Sequence, residues 1–298
     1  MSNIIKRIHQ MTISDWEKAF PDEDSCRIYL QRHRWATSVR CPRCGNTSVY
    51  ELERDYHWQC QDCAPQGYRF SVIAGTIFEN TNKPLRDWFR VIHMMLTSKK
   101  GVSALQVHRT MGFGSYKTAW YMCHRIRAGL ANEEFRKLMG IVEVDETYIG
   151  GKAKNKHGGK SGTKGGSGDK FVVVGAVERE GNVVARVLQW ANHYTLQSFV
   201  NEVVSTDVSL LATDEHRGYV GLSDTFQHGR VNHAAKKYVI GAIHTNTIEG
   251  FWSIFKRGIV GSFHKVSRKY LPLYVAEFQF RYNNRFNEDI FGEAIRGC

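Results

Sequence analysis

Two groups of residues in this chain have the types and spacing to do chemistry. The first is a set of four cysteines. Cys41 and Cys44 form CPRC, Cys60 and Cys63 form CQDC, and fifteen residues lie between the pairs. Two such knuckles at this separation can close four thiolates around one tetrahedral Zn²⁺. Four buried cysteines without metal would not need two knuckles of identical spacing. Four Cys ligands leave no open position for a substrate, so the expected zinc is structural. Gly45 eases the turn after the first knuckle, and His57 between the knuckles reads as an unligated surface histidine.

The second group is a trio of carboxylates. Asp145 lies in IVEVDETYIG, where Val142 and Val144 alternate with Glu143 and Asp145. One strand face is then apolar and the other acidic. Carboxylates in such an apolar stretch are costly unless paired or metal-bound. Asp214 follows LLA in SLLATDEHRGY, at the expected C-terminal end of a strand, where α/β sites gather. Glu249 lies in NTIEGFWSIFKR. There Ile248, Phe251, Trp252 and Phe255 make a core stripe at helical spacing, while Asn246, Glu249, Ser253 and Lys256 share another face. Three acids meeting at a sheet edge would suit two divalent metals about 4 Å apart, which activate an attacking oxygen and neutralise a leaving one. Hard Mg²⁺ or Mn²⁺ prefers such oxygen ligands. Lys256 and Arg257 could touch a DNA phosphate. His233 and His244 could orient water or phosphate, or be structural.

These groups need elements to position them. Residues 12 to 35 read as short helices. Residues 39 to 80 are turn-rich. From Pro84 to about Leu130 the apolar spacing predicts three helices, the last starting near Ser115, a good N-cap. Eight Lys or Arg fall in that region against one acid, Asp87. SALQVHRTMGFGSYKTAWYMCHRIR has the form helix, Gly-containing turn, helix, as in a helix-turn-helix. Ser115, Tyr116 and Lys117 would enter a DNA groove, with Arg125 further along. A basic bundle that merely links domains is the plainer alternative. From residue 141 the order is β-β-β-α-β, then helices near Thr245 to Arg257 and Leu271 to Arg285, which predicts a mixed sheet flanked by helices. The run from 150 to 170 carries six lysines among glycines and reads as a basic loop. The basic stretch from Lys256 to Arg285 could track DNA, while Phe278, Phe280 and Tyr282 read as core.

The chain has 298 residues and a formal net charge of +12. That excess suits a polyanionic partner. No apolar run approaches bilayer length, and the N-terminus lacks the core of a secretory signal. The expectation is a cytoplasmic protein with no membrane partner. The seven cysteines do not make a disulfide scaffold.

The segment from Ile141 to Arg285 resembles the RNase H-like catalytic domain of DDE transposases. In that superfamily the first Asp sits on the first strand, the second after the fourth strand, and the Glu on a later helix. Glu249 follows Asp214 by 35 residues and Lys256 follows Glu249 by seven, both as in those enzymes. The resemblance is closer to bacterial insertion-sequence transposases with an N-terminal zinc ribbon. It rests on CPRC…CQDC, SYKTAWYMCHRIR, VEVDETYIGGK, TDEHRGY, VNH at 231 to 233 and HTNTIEGFWSIFKRGIVGSFHKVS. Some members of that group have Asn as the third active-site residue, so Asn246 stands beside Glu249 as the alternative.

The resemblance implies a multidomain α+β chain: a helical segment at 1–38, a zinc ribbon at 39–80, a helix-turn-helix DNA-binding region at 84–138, and an RNase H-like mixed-sheet α/β domain at 141–298. It implies binding of terminal inverted repeats, metal-dependent strand cleavage, and strand transfer into target DNA. It also implies a homodimer or larger assembly on DNA, and a bacterial, DNA-associated location. Two other readings compete: a DNA-binding regulator without catalysis, and a metal-dependent nuclease that never joins strands.

Overall fold

The computed structural model describes residues 11–63, 65–131, 135–150, 170–231 and 244–298. The expected basic loop at 150–170, apart from its ends, and His233 lie outside these residues. The chain divides into two compact units. One holds residues 1–131 and 284–298, the other residues 132–283.

In the first unit, α1 (Ile13–Ala19) and α2 (Glu23–Arg34) each open with a capping box, Thr12 with Asp15 and Asp22 with Ser25. An antiparallel sheet follows, β1 (Val49–Glu51), β2 (His57–Cys60) and β3 (Tyr68–Ser71), in the order β1-β2-β3. Arg34 at the end of α2 donates to the carbonyls of Val72 and Ala74, which ties α2 to the segment leaving β3. Then come α3 (Leu85–Thr97), α4 (Ala104–Met111) and α5 (Tyr116–Gly129). Pro84 precedes α3, whose first amides are capped by Glu23: its carboxylate accepts from Leu85 at 2.9 Å and Arg86 at 3.1 Å. Helix α4 stops at Gly112, whose left-handed φ of 63° a Cβ would strain.

The last helix of the chain, α9 (Ile290–Gly297), belongs to this first unit. Phe291 packs against Phe20, Tyr29 and Phe89. A domain running from 141 to 298 therefore differs from the division the contacts make. The second unit ends at Asn283, and the residues after it complete the aromatic core of the first.

The second unit is built on a five-stranded sheet of β4 (Ile141–Ile149), β5 (Phe171–Glu178), β6 (Val183–Leu188), β7 (Leu210–Asp214) and β8 (His228–Val231). Their spatial order is β6-β5-β4-β7-β8. β4, β5 and β6 pair antiparallel, and β4, β7 and β8 pair parallel. This is an RNase H-like mixed sheet. α6 (His193–Val203) covers one face, where Val142, Val144, Leu196 and Val200 pack together. α7 (Asn246–Gly258) and α8 (Leu271–Asn283) cover the other through Ile248, Trp252, Phe255 and Phe278. β5 reads FVVVGAVE without alternation because both its faces are buried.

Two local features set where α7 and α8 lie on the sheet. Gly175 on β5 stands beside Asp145, and a Cβ there would fall 2.8 Å from the Trp252 ring. Only a glycine lets the indole come so close to the sheet. At the β6 edge, Gln279 and Asn283 of α8 accept from the outward amides of Ala185 and Val183, both at 2.8 Å. These bonds satisfy an edge that would otherwise invite another strand.

Candidate active site and metal centres

The four expected zinc ligands converge. Cys41 Sγ lies 3.8 Å from Cys63 Sγ, and Cys44 Sγ 3.6 Å from Cys60 Sγ. Cys60 and Cys63 flank the end of β2, and the turn after Cys41 is closed by the Gly45 amide on the Cys41 carbonyl. Burial acts against the thiolate at all three buried cysteines of the set; at Cys41 the backbone amides of Cys44 and Arg43 outweigh it and bring the thiol down to about 7, while burial and bonds among the sulfurs push Cys60 and Cys63 up. This donor set fits a closed structural Zn²⁺ site. His57 stays outside it, its Nδ1 bonded to the Asp55 carbonyl at 2.9 Å.

The carboxylates meet at one end of the second sheet. β4 and β7 are parallel neighbours with Val144 beside Thr213, so the next residues, Asp145 and Asp214, emerge together. A third acid joins them. Oxygens of Asp145, Glu146 and Asp214 all lie within 4.8 Å of one another. Asp214 also accepts from the His216 amide at 2.9 Å, which fixes its rotamer beyond the strand end. Glu146 is held by the buried Tyr219 hydroxyl at 2.8 Å, with His216 Nε2 at 3.9 Å.

Glu146 was absent from the expected set. It falls in phase with Val142 and Val144, on the face that packs against α6. An acid in an apolar phase is itself a signal, since burial of an unpaired carboxylate is costly. Its partner, Tyr219, is distant in sequence and could not be paired with it beforehand.

Helix α7 brings the remaining candidates. Glu249 is exposed on its first turn and accepts from the Thr245 hydroxyl at 3.0 Å. It lies outside the compact set but adds its charge to the field at Asp145. Asn246 opens the same helix and is also exposed. Lys256 and Arg257 are exposed on its last turn, where Arg257 bonds back to Ser253.

The electrostatics suit a cation. Burial, with the charges of Glu146, Asp214 and Glu249, pushes the Asp145 carboxyl up to about 7. Burial also raises Glu146. Tyr219 is driven well above the usual phenol range, so it stays a donor to Glu146. Hard oxygen ligands crowded in this way fit Mg²⁺ or Mn²⁺, whose charge would relieve the repulsion.

In the first unit, Ser115 caps α5 by accepting from the Lys117 amide at 3.2 Å, and Tyr116 and Lys117 are exposed beside it. Arg125 is less available than its charge suggests. It donates to the Glu79 carbonyl at 3.1 Å and lies near the Trp88 and Tyr121 rings. Lys117, Trp120, Tyr121 and Arg125 line an open groove of about 1000 Å³. Among the described residues, no helix is long and apolar enough to cross a membrane.

Comparison with known proteins agrees with both centres. Residues 137–283 match the ISXO2-like transposase domain, and residues 21–66 match a transposase zinc-ribbon domain. A protein from Halobacterium salinarum, described as an uncharacterized protein in transposable element ISH50, is 28% identical over 282 residues. That alignment covers 89% of this chain and 92% of the relative. A cryo-EM structure of a simian T-cell lymphotropic virus intasome with PP2A regulatory subunit B56 gamma aligns at a TM-score of 0.30 and 15% identity. It covers 60% of this chain and 68% of that one, and at that score it adds nothing.

Proposed function

This chain belongs to the ISXO2-like DDE transposases with an N-terminal zinc ribbon, and from that premise we propose that it binds the terminal inverted repeats of its element and cuts and joins DNA strands at Asp145, Asp214 and Glu249. The observation that carries the catalytic reading is the convergence of Asp145 and Asp214, with Glu146, within 4.8 Å at one sheet end. A divalent metal bound there would supply charge for the attacking and leaving oxygens of a phosphodiester. Asp145 and Asp214 would hold it from adjacent strands. Glu146, fixed by Tyr219, backs them, and Glu249 closes the site from α7. Lys256 and Arg257 lie further along that helix as phosphate contacts. Most of the catalysis is positioning and charge neutralisation. A pre-cut donor end joined to target DNA distinguishes a transposase from a nuclease that only hydrolyses.

Glu249 is the third residue in this reading because its carboxylate adds charge at Asp145 and is held by the Thr245 hydroxyl. Glu249→Gln is expected to lower strand cleavage by about 100-fold, and Asn246→Ala by less than about tenfold, since removing one preorganised electrostatic contact has effects of that order. Single-turnover cleavage of an end-containing duplex checks both. The reverse ranking assigns the role to Asn246.

For DNA recognition we assign α4, the Gly112 turn and α5 as a helix-turn-helix, with Ser115, Tyr116 and Lys117 leading into the major groove. Arg125 acts in this reading by supporting the groove wall through Glu79 and Trp88. Lys117→Ala is expected to weaken end binding by about tenfold at low salt and to flatten the salt dependence by about one phosphate contact. A titration across salt concentrations measures both effects. An unchanged slope would remove Lys117 from the interface. We further propose a cytoplasmic, DNA-associated enzyme of a prokaryotic cell that acts as a homodimer or larger assembly, because two element ends must be held together.

A further inference from the structure

The start of α7 is fastened to β4 by a carboxylate that the chemistry above does not use. Glu143 lies two residues before Asp145, on the same strand face, and is 0% exposed. Alone, a buried carboxylate is costly. This one is ringed by donors. Its Oε2 accepts from the backbone amides of Thr247 at 2.7 Å and Ile248 at 3.0 Å. Its Oε1 accepts from the Thr247 hydroxyl at 2.9 Å and from Arg179 Nε at 2.6 Å. His244 Nδ1 lies 3.1 Å from the same oxygen.

Arg179 extends the anchor. Its guanidinium also donates to the His244 carbonyl at 3.1 Å, and its own amide donates to the Ile141 carbonyl at 2.9 Å. One carboxylate thus joins β4, the residue leaving β5 and the segment entering α7. The first amides of any helix lack partners within it. In α7 the N-cap residue, Thr245, makes no capping bond, because its hydroxyl is turned to Glu249. The sheet caps the helix instead, and places a negative charge where the helix dipole favours one.

We propose that Glu143 is a positioning residue for the reaction: with Arg179 and Thr247 it fixes the first turn of α7 relative to Asp145, and so sets the reach of Glu249 and Asn246 into the metal site. This rests on the catalytic reading above. Asp145 shares the strand with Glu143. Ile248, whose amide Glu143 holds, directly precedes Glu249. Both ends of the active-site gap are therefore referenced to one buried carboxylate. Loss of that reference lets the gap change, and misplacement of about 1 Å can cost on the order of 100-fold in rate.

Glu143→Gln keeps the side-chain shape but turns an amide group toward donors. Thr247→Val removes one hydroxyl donor, and Thr247→Ser restores it. All are made in the full-length protein and compared well below their melting temperatures. Expected for Glu143→Gln is normal zinc content, cleavage slowed by about 10- to 100-fold, and Mn²⁺ binding by electron paramagnetic resonance weakened several-fold. Thr247→Val should show a smaller loss in both readouts, with Thr247→Ser close to wild type. A role confined to stability would lower the melting temperature and leave Mn²⁺ binding unchanged, and that result overturns the proposal. If Glu143→Gln does not fold, the Thr247 pair decides alone, and wild-type rate and Mn²⁺ affinity in Thr247→Val overturn it equally. Asp145→Ala serves as the reference. If it still binds Mn²⁺ and cuts DNA, the catalytic reading fails; if it is inactive while the Glu143 and Thr247 variants are normal, only the positioning role fails.

Discussion

Asp145→Ala and Asp214→Ala are each expected to reduce strand cleavage and strand transfer by at least about 10³-fold, equivalent to roughly 4 kcal/mol of barrier, while binding to element ends stays near wild type. The effect is large because the two aspartates flank the seam where β4 and β7 run parallel. The neighbouring Glu146 is tied to the Tyr219 hydroxyl and does not take the place of either aspartate. End binding is expected to be preserved because the basic helices proposed to carry it lie in the other compact unit. A gel assay with pre-cut and uncut ends in Mg²⁺ and in Mn²⁺ measures all three quantities. Near-normal cleavage by either variant would remove the carboxylate seam from the mechanism. The same site predicts a pH dependence. The metal-free Asp145 carboxyl titrates at about 7, raised from its ordinary value. Below that pH the folded site binds a proton that metal must displace, so the half-saturating Mn²⁺ concentration should rise as pH falls through 7. The sign for stability is opposite. A carboxyl raised in the folded state takes up more protons than in the unfolded chain, so without metal the protein loses stability as pH rises from about 4 to 7. Added Mn²⁺ should offset that loss, and melting curves with and without metal across this range would show it.

Cys60→Ser is expected to abolish zinc retention and unfold the ribbon, measured as loss of zinc by elemental analysis and an early, separate melting step. Cys60 is buried at the end of β2, with its sulfur 3.6 Å from Cys44 Sγ. The three strands of the ribbon are only three or four residues long, too short to hold together by their own pairing. Structural zinc contributes about 10–16 kcal/mol in zinc-finger peptides at neutral pH, more than such a small sheet can supply by burial. The consequence should stay within the first unit. Arg34 ties α2 to the residues after β3, so disorder there would loosen α2 and weaken DNA binding, while the RNase H-like unit keeps its own two-faced core. A variant that keeps its zinc and a single melting step would show that three cysteines suffice.

Much of this molecule is legible in its sequence because the signals are local. Two cysteine knuckles of equal spacing fix a zinc ribbon wherever the rest of the chain goes. The 3.6-residue stripe of Ile248, Phe251, Trp252 and Phe255 fixes α7 and places Asn246 and Glu249 on another face. The alternation in IVEVDETYIG fixes a strand. β8 escaped notice because HGRV is short and carries little apolar pattern. The expected extent of the second domain ran past Asn283 because no local signal marks where a chain returns to an earlier unit. Contacts such as those of Phe291 with Phe20 and Phe89, and of Asp289 with Tyr29, make that assignment.

The three neighbouring acids of β4 show where sequence stops and tertiary structure begins. The sequence alone determined that Glu143, Asp145 and Glu146 lie on a strand, which of them share a face, and that the family motif passes through Asp145. It could not separate their fates. Glu143 became a buried helix cap, Asp145 the centre of the acidic cluster, and Glu146 a Tyr219-held acid beside it. Each outcome was set by a partner far along the chain: Thr247 and Arg179, Asp214, and Tyr219. A carboxylate's charge state and role depend on what surrounds it within a few ångströms, and in a mixed sheet those surroundings come from strand and helix pairing that local spacing does not encode.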